Sequence, residues 1–169
     1  LSLINTHDAI SVTGASERMV ESDAGKWTFM IAKQATPESY AFVSKQLREA
    51  GTVTSKYLRT RGVEEKSITM QPMTSNVICQ SQNQVMYDNT GRQQCSGAFS
   101  YSLVQTIIVE SEDVSKVRDL SLNAPNALSL LGIQVQTVSV DFFYTKLATI
   151  RAEMLEEASK NAKERAEAI

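Results

Sequence analysis

Apolar positions along the chain switch between a two-residue and a 3.6-residue period, and the switches mark out its elements. Ala9-Ile10-Ser11-Val12-Thr13-Gly14 alternates, and so do Trp27, Phe29 and Ile31 against Thr28, Met30 and Ala32. Both predict half-buried strands, joined by a polar connection over 17–25. Thr36-Pro37-Glu38 predicts a helix start: Thr caps orphan N–H groups, Pro tolerates the first position, and Glu suits the positive dipole end. Tyr40, Val43, Leu47, Ala50 and Leu58 then share a face until Arg59, Arg61 and Gly62 close the helix. Gly51 in its interior costs about 1 kcal/mol relative to Ala, so packing must hold that turn.

Two long strands follow, over 67–79 and 95–110. In the second, Phe99, Tyr101, Leu103, Ile107 and Val109 share a face interrupted by Gln105. Asp88-Asn89-Thr90-Gly91 between them is a reversal signal, because Asn and Gly accept positive φ, so the pair predicts a hairpin. Ser111-Glu112-Asp113 opens a second helix carrying Val114, Val117 and Leu120, which Pro125 is expected to break before a short helical turn reaches Gly132. From Ile133 to Thr145 the apolar phase switches from Ile133 and Val135 to Val138, Val140, Phe142 and Tyr144. The switch predicts a bulge near Thr137. The last helix places Leu147, Ile150, Met154, Leu155, Ala158, Ala162, Ala166 and Ile169 on one stripe, with Glu156–Lys160, Lys160–Glu164 and Lys163–Glu167 one turn apart elsewhere. The predicted fold class is α+β, a largely antiparallel sheet with helices packed on one face, in the order β-β-α-β-β-α-β-α.

Composition narrows the function classes. A chain of 169 residues with 42% apolar content suits one domain with a sizeable core. Charged residues make up 21%, interspersed to a net charge of −2, which argues against a nucleic-acid binder or a polybasic membrane-surface module. No apolar run approaches the roughly 20 residues that span a bilayer. There is no initiator Met, and a helical pattern runs to Ile169 without a terminating Gly, Asn or Pro. The expectation is therefore a single domain over 1–169 truncated at both ends, with a signal peptide or anchor upstream of Leu1 left open.

Several local motifs, in their order, resemble the SIMPL-domain family, whose bacterial members include YggE-like periplasmic proteins. Ile10-Ser11-Val12-Thr13-Gly14 resembles the family's opening V-x-G strand. Ser22-Asp23-Ala24-Gly25-Lys26-Trp27 resembles its Pro-Asp-x-Ala approach to the second strand, with Ser22 in place of Pro and Gly25 in place of Ala. Tyr101 to Val109 followed by Glu112-Asp113-Val114 and Lys116-Val117 resembles its aromatic strand and helix start. Gly132 to Phe143 and the Arg151–Ala166 helix resemble its closing elements. The resemblance implies a non-enzymatic protein, exported and periplasmic or envelope-associated, linked to stress tolerance and acting through homo-oligomers that are ring- or channel-like in some members. It supplies no catalytic residues, cofactor or small-molecule substrate to carry over. The alternatives are a small-molecule or metal-binding module, or an interaction adaptor as in some eukaryotic relatives.

The residues that carry chemistry are few. Cys79 and Cys95 flank the hairpin turn, so strand pairing can bring them within disulfide reach; export favours the bond and a reducing cytosol favours thiols. Met70, Met73 and Met86 gather in sequence around the same hairpin. With the cysteines they would suit Cu(I), although Met is equally a gap-filler and no His lies near. The single histidine, His7, sits beside Asp8 on an extended segment, where neighbours point opposite ways. Glu64-Glu65, Glu112-Asp113 and Glu156-Glu157 read as caps and solvated faces, and no phosphate-binding loop, dinucleotide glycine pattern or nucleophile elbow appears. The expected interaction surface is the aromatic pair Phe142 and Tyr144 together with the edges of the long strands.

Overall fold

The structure is a computed structural model that describes residues 7–12 and 16–168. A hairpin of β1 (His7–Val12) and β2 (Ser16–Glu21) leads into β3 (Ala24–Ala35) and the 21-residue helix α1 (Tyr40–Thr60). Then come β4 (Ile68–Met70), β5 (Thr74–Cys79), the short strands β6 (Val85–Tyr87) and β7 (Gln93–Cys95), and the long β8 (Phe99–Ser111). Helix α2 (Val114–Leu130), strand β9 (Val135–Phe143) and helix α3 (Leu147–Glu167) follow. The main sheet is antiparallel throughout, with β8 and β3 central, β9 beside β3, and β4 and β5 end to end along the far side of β8. The fold is α+β, as its periodicities predict.

Alternation builds the core. Odd-numbered residues of β3 and β8 turn inward, burying Trp27, Phe29, Ile31, Leu103, Ile107 and Val109 against Leu47 and Leu58 of α1 and Val117, Leu120 and Leu128 of α2. The Trp27 ring stacks on Phe29 with centroids 4.1 Å apart, and its Nε1 donates to Thr137 Oγ1 at 3.1 Å. Pairing of Thr28 with Ser139 but of Phe29 with Thr137 leaves Val138 unpaired, so the bulge lies beside Thr137 and explains the switched apolar phase. At Gly25 an added Cβ would lie 3.0 Å from Val117 Cβ, so this residue sets how closely α2 approaches the sheet.

Gly51 has a packing reason. Gln105 points from β8 into the core, and a Cβ at Gly51 would fall 2.4 Å from its Oε1 and 2.7 Å from Met70 Cε. The bare backbone of α1 is what leaves room for a buried glutamine. Its Oε1 and the buried Ser44 Oγ have no protein hydrogen-bond partner.

Several elements depart from the sequence reading: the strand expected over 67–79 is two, β4 and β5, and the one expected over 95–110 starts at Phe99, with Cys95 in β7 paired to β6. The connection over 17–25 contains a strand, β2, because Val20 is buried against Ile150 and Met154 of α3, a contact invisible in local pattern. Pro125 does not end α2; it lies inside it, flanked by the fully buried Ala124 and Leu128, whose packing carries the helix across the missing N–H. Helices α1 and α2 cover one face of the main sheet, whereas α3 packs on the β1–β2 hairpin. A smaller revision concerns α1: Thr36 and Ser39 close a reciprocal turn, Ser39 Oγ accepting from Thr36 N at 2.9 Å, and helix begins at Tyr40.

Candidate interaction surfaces

The molecule has a well-filled body and a smaller annex. In the annex, Val20 of β2 is buried with Ile150 and Met154 of α3 among the described side chains, and Tyr144 packs against them. Arg18 of β2 reaches across to α3, donating to Glu153 Oε2 at 2.7 Å and to Glu157 Oε1. Both carboxylates raise its pKa through these bonds. Asp23 joins annex to body: its carboxylate accepts from Thr145 N at 2.8 Å and Thr145 Oγ1 at 2.9 Å, while its own N–H donates to Phe143 O at 2.8 Å. The Thr145 backbone N–H, followed by its hydroxyl, holds the Asp23 carboxyl below its ordinary pKa. Beyond Met154 no described residue of α3 is buried; Leu155 is 56% exposed.

The aromatic strand end is divided. Phe142 is half-buried in the main core beneath Arg118, whose guanidinium carbon lies 5.1 Å from the ring centre. Tyr144 is half-buried in the annex cluster. Phe143, between them, turns the other way and is 45% exposed. Period two makes this unavoidable: one aromatic of three adjacent ones must face out.

Both edges of the main sheet are interrupted. On β9 the Val138 bulge breaks the ladder; on the far side Gln71-Pro72-Met73 separates β4 from β5. Such interruptions discourage strand addition by another chain. The sheet face away from α1 and α2, carrying Thr28, Met30, Val104, Thr106 and Ile108, is half-exposed.

An arm over 71–98 extends β5 into the β6–β7 hairpin. Cys79 and Cys95 are bonded to each other across it, Cα atoms 5.5 Å apart. Its turn is tied by Asp88, whose Oδ1 accepts from Thr90 Oγ1 at 2.6 Å, Thr90 N at 2.8 Å and Arg92 N at 2.9 Å, while Gly91 takes φ 77°. These bonds, the Thr90 hydroxyl's first, lower the Asp88 pKa. Asp88 and Arg92 are the arm's only charged residues, and Ile78, Met86 and Tyr87 stand exposed on it.

The methionines do not converge. Met70 lies over Gly51, Met73 packs on the main core, and Met86 is exposed on β6. Among the described residues no cluster of three or more His, Cys, Asp or Glu side chains has metal-binding geometry. His7 and Asp8 belong to β1, but their side chains lie outside the described residues. A cleft of about 710 Å³ is lined by Lys26, Lys66, Lys116, Glu64, Glu110 and Phe143 among others. Its lysines are engaged: Lys66 with Glu64 at 2.8 Å, Lys26 with Glu110 at 3.5 Å, and Lys116 donating to Gly62 O at 3.0 Å. Asp113 caps α2 by accepting from Lys116 N at 2.9 Å.

This architecture is that of an α+β domain whose surfaces, rather than an enclosed pocket, carry its distinctive features. The chain belongs to the SIMPL family, a family of proteins of unknown function (DUF541), which matches residues 10–169. No curated protein matches it. No helix among the described residues is long and apolar enough to cross a membrane.

Arg18 and Asp23 were not singled out as site residues from sequence, Asp23 entering only within the Ser22–Trp27 motif, and neither was the outward Phe143. The signal for the first two is long-range: Arg18 meets residues 135 and 139 positions away, and Asp23 one 122 away.

Proposed function

We propose that this chain is one SIMPL-type domain of a non-enzymatic, exported cell-envelope protein, periplasmic in a bacterium, that acts through homo-oligomeric assembly. The observation that carries this reading is the annex, where a two-stranded hairpin meets a 21-residue helix and, among the described side chains, Val20, Ile150 and Met154 are the buried ones. An isolated hairpin is marginal in water, and helices in proteins draw most of their stability from tertiary packing. Contact with a neighbouring copy would add burial there. The Cys79–Cys95 bond supports an oxidising compartment, and the resemblance to ring- or channel-forming, stress-linked family members supports assembly as the working state. Paired lysines and carboxylates in the cleft, engaged with each other, support a non-catalytic role.

Light scattering on the full-length mature protein tests this. A species several times the monomer mass is expected, and a strictly monomeric profile refutes the reading. The cleft favours one second reading, a small-molecule module; ligand-like density there, together with a monomeric profile, would favour it instead.

A further inference from the structure

Folding sorts charges that the sequence intersperses. Helices α1 and α2 cover one face of the main sheet, so their outer sides share a direction. Between them they carry six cations against two anions, Glu49 and Asp119, in a chain that carries 17 against 19. The outer side of α1 is ordered. Phe42 and Val53, Lys45 and Lys56, and Arg48 and Arg59 are three pairs, each 11 residues apart, and all six side chains are exposed. Eleven residues make three turns and about 16 Å, so the pairs run as parallel rows, one apolar and two cationic. Arg48 and Lys56 make no ion pair among the described residues; Lys45 and Arg59 make exposed ones, with Glu49 at 4.0 Å and Glu65 at 3.7 Å. On α2, Arg118 is held over Phe142 and Lys116 at Gly62 O, so the available cations are those of α1. The outer side of α2 instead carries Leu122 and Leu130, at 72% and 83% the two most exposed large apolar side chains described.

We propose that this helical layer docks on an anionic lipid bilayer, its α1 cations against phosphate headgroups and Phe42, Leu122 and Leu130 entering the headgroup–acyl boundary. Such docking is independent of assembly and needs no second copy of the chain. Two features on one surface select a bilayer. The cation excess is complementary to anionic headgroups, and long Lys and Arg stems can lie along apolar surface while their heads stay at the interface. The apolar side chains stand singly, with the polar Asn123, Asn126 and Ser129 beside the two leucines. A protein partner buries a contiguous apolar core, whereas a bilayer accepts separate apolar tips from a surface that lies flat on it. An acidic polymer would satisfy the cations and leave the leucines without a role.

Vesicle co-sedimentation with the full-length mature protein tests this, read as the excess of binding to vesicles with about a third phosphatidylglycerol over pure phosphatidylcholine. A clear excess is expected at low salt, and most of it is expected to be lost in about 1 M salt, where screening acts within about 3 Å. Arg48→Gln with Lys56→Gln is expected to weaken the partition about twentyfold, at about fivefold for each cation. Lys160→Gln with Lys163→Gln removes the same charge from α3 and is expected to change it less than about twofold. Leu122→Ser and Leu130→Ser are each expected to weaken it about tenfold at unchanged net charge. All of these sites are exposed, and native Trp27 emission checks that each variant is folded. No excess on the anionic vesicles overturns the proposal, and so does an equal loss from the α3 pair, which would make net charge the cause. Binding to polyglutamate-coated beads that is repelled by charge, or vesicle binding that the leucine changes leave intact, also overturns it: the first leaves the layer without an anion preference, the second without insertion.

Discussion

Replacing Gly51 with alanine is expected to destabilise this protein, although the same change in most exposed helix interiors stabilises. Two terms oppose. Helix propensity favours Ala by about 1 kcal/mol. Against it, the new methyl carbon would lie 2.4 Å from Gln105 Oε1 and 3.3 Å from Gln105 Cδ. Gln105 is only 7% exposed, so its amide must move within a filled core rather than swing into water. Overpacking of this kind costs about 1–3 kcal/mol. Met70 Cε, at 2.7 Å, ends a flexible side chain that is 38% exposed and moves at little cost. The net expectation is a loss of about 1 kcal/mol, or a drop in Tm of about 2–4 °C for a domain of this size. Gln105→Ala removes the obstruction together with an acceptor that has no partner. In that background Gly51→Ala is expected to stabilise, which gives a coupling of about 2 kcal/mol in a double-mutant cycle. The single tryptophan, Trp27, is fully buried and provides the signal for urea titrations with the disulfide intact. If Gly51→Ala stabilises the wild-type background by the ordinary propensity increment, or if the two changes are additive, the packing argument fails.

Other expectations are simpler to state. Pro125→Ala is expected to raise stability by about 1–3 kcal/mol, because it restores an N–H inside α2 without touching the buried Ala124 and Leu128; a loss in denaturant titration would contradict this. Asp23 has a depressed pKa when folded, so its grip on Thr145 is complete above the ordinary carboxylate range near pH 3.9 and is lost as pH falls through the lower folded value. The Thr145 amide resonance is expected to move over that acid window in the wild type, and to be flat there in Asp23→Ala. Reduction of Cys79–Cys95 is expected to expose residues 80–94 to limited proteolysis while Trp27 emission stays native, since the arm projects beyond the main core. Loss of the Trp27 signal on reduction would show that the arm and body unfold together.

Most of the body was legible in the sequence, because its elements are decided by local period and its partners are near in chain order. The alternation of Trp27, Phe29 and Ile31 names the inward face of β3, and the phase switch past Val135 locates the bulge to within a residue of Val138. The annex was not legible for a physical reason. Among the described side chains of β2 only Val20 is buried, and its partners Ile150 and Met154 arrive far along the chain. One inward residue sets no period, so β2 reads as connection. Pro125 misled in a related way: the local rule is correct about the lost hydrogen bond, and buried neighbours outweighed it. The stripe read along α3 merged two faces, Ile150 and Met154 toward the hairpin and Leu155 with Ala162 away from it, because a helical period alone does not say what each side meets.

The bridge from Arg18 to Glu153 and Glu157 also sets an order of events during synthesis. The hairpin emerges first but lacks the residues that bury Val20 until α3 has been made, some 135 positions later. At about 5–20 residues per second, that wait is on the order of 7–27 s. Throughout it the sheet and its two covering helices can close, while the earliest strands remain without their cover. The hairpin, though made before the rest of this domain, is thus expected to be among its last parts to settle, and a chaperone or export factor that binds it has that interval in which to act.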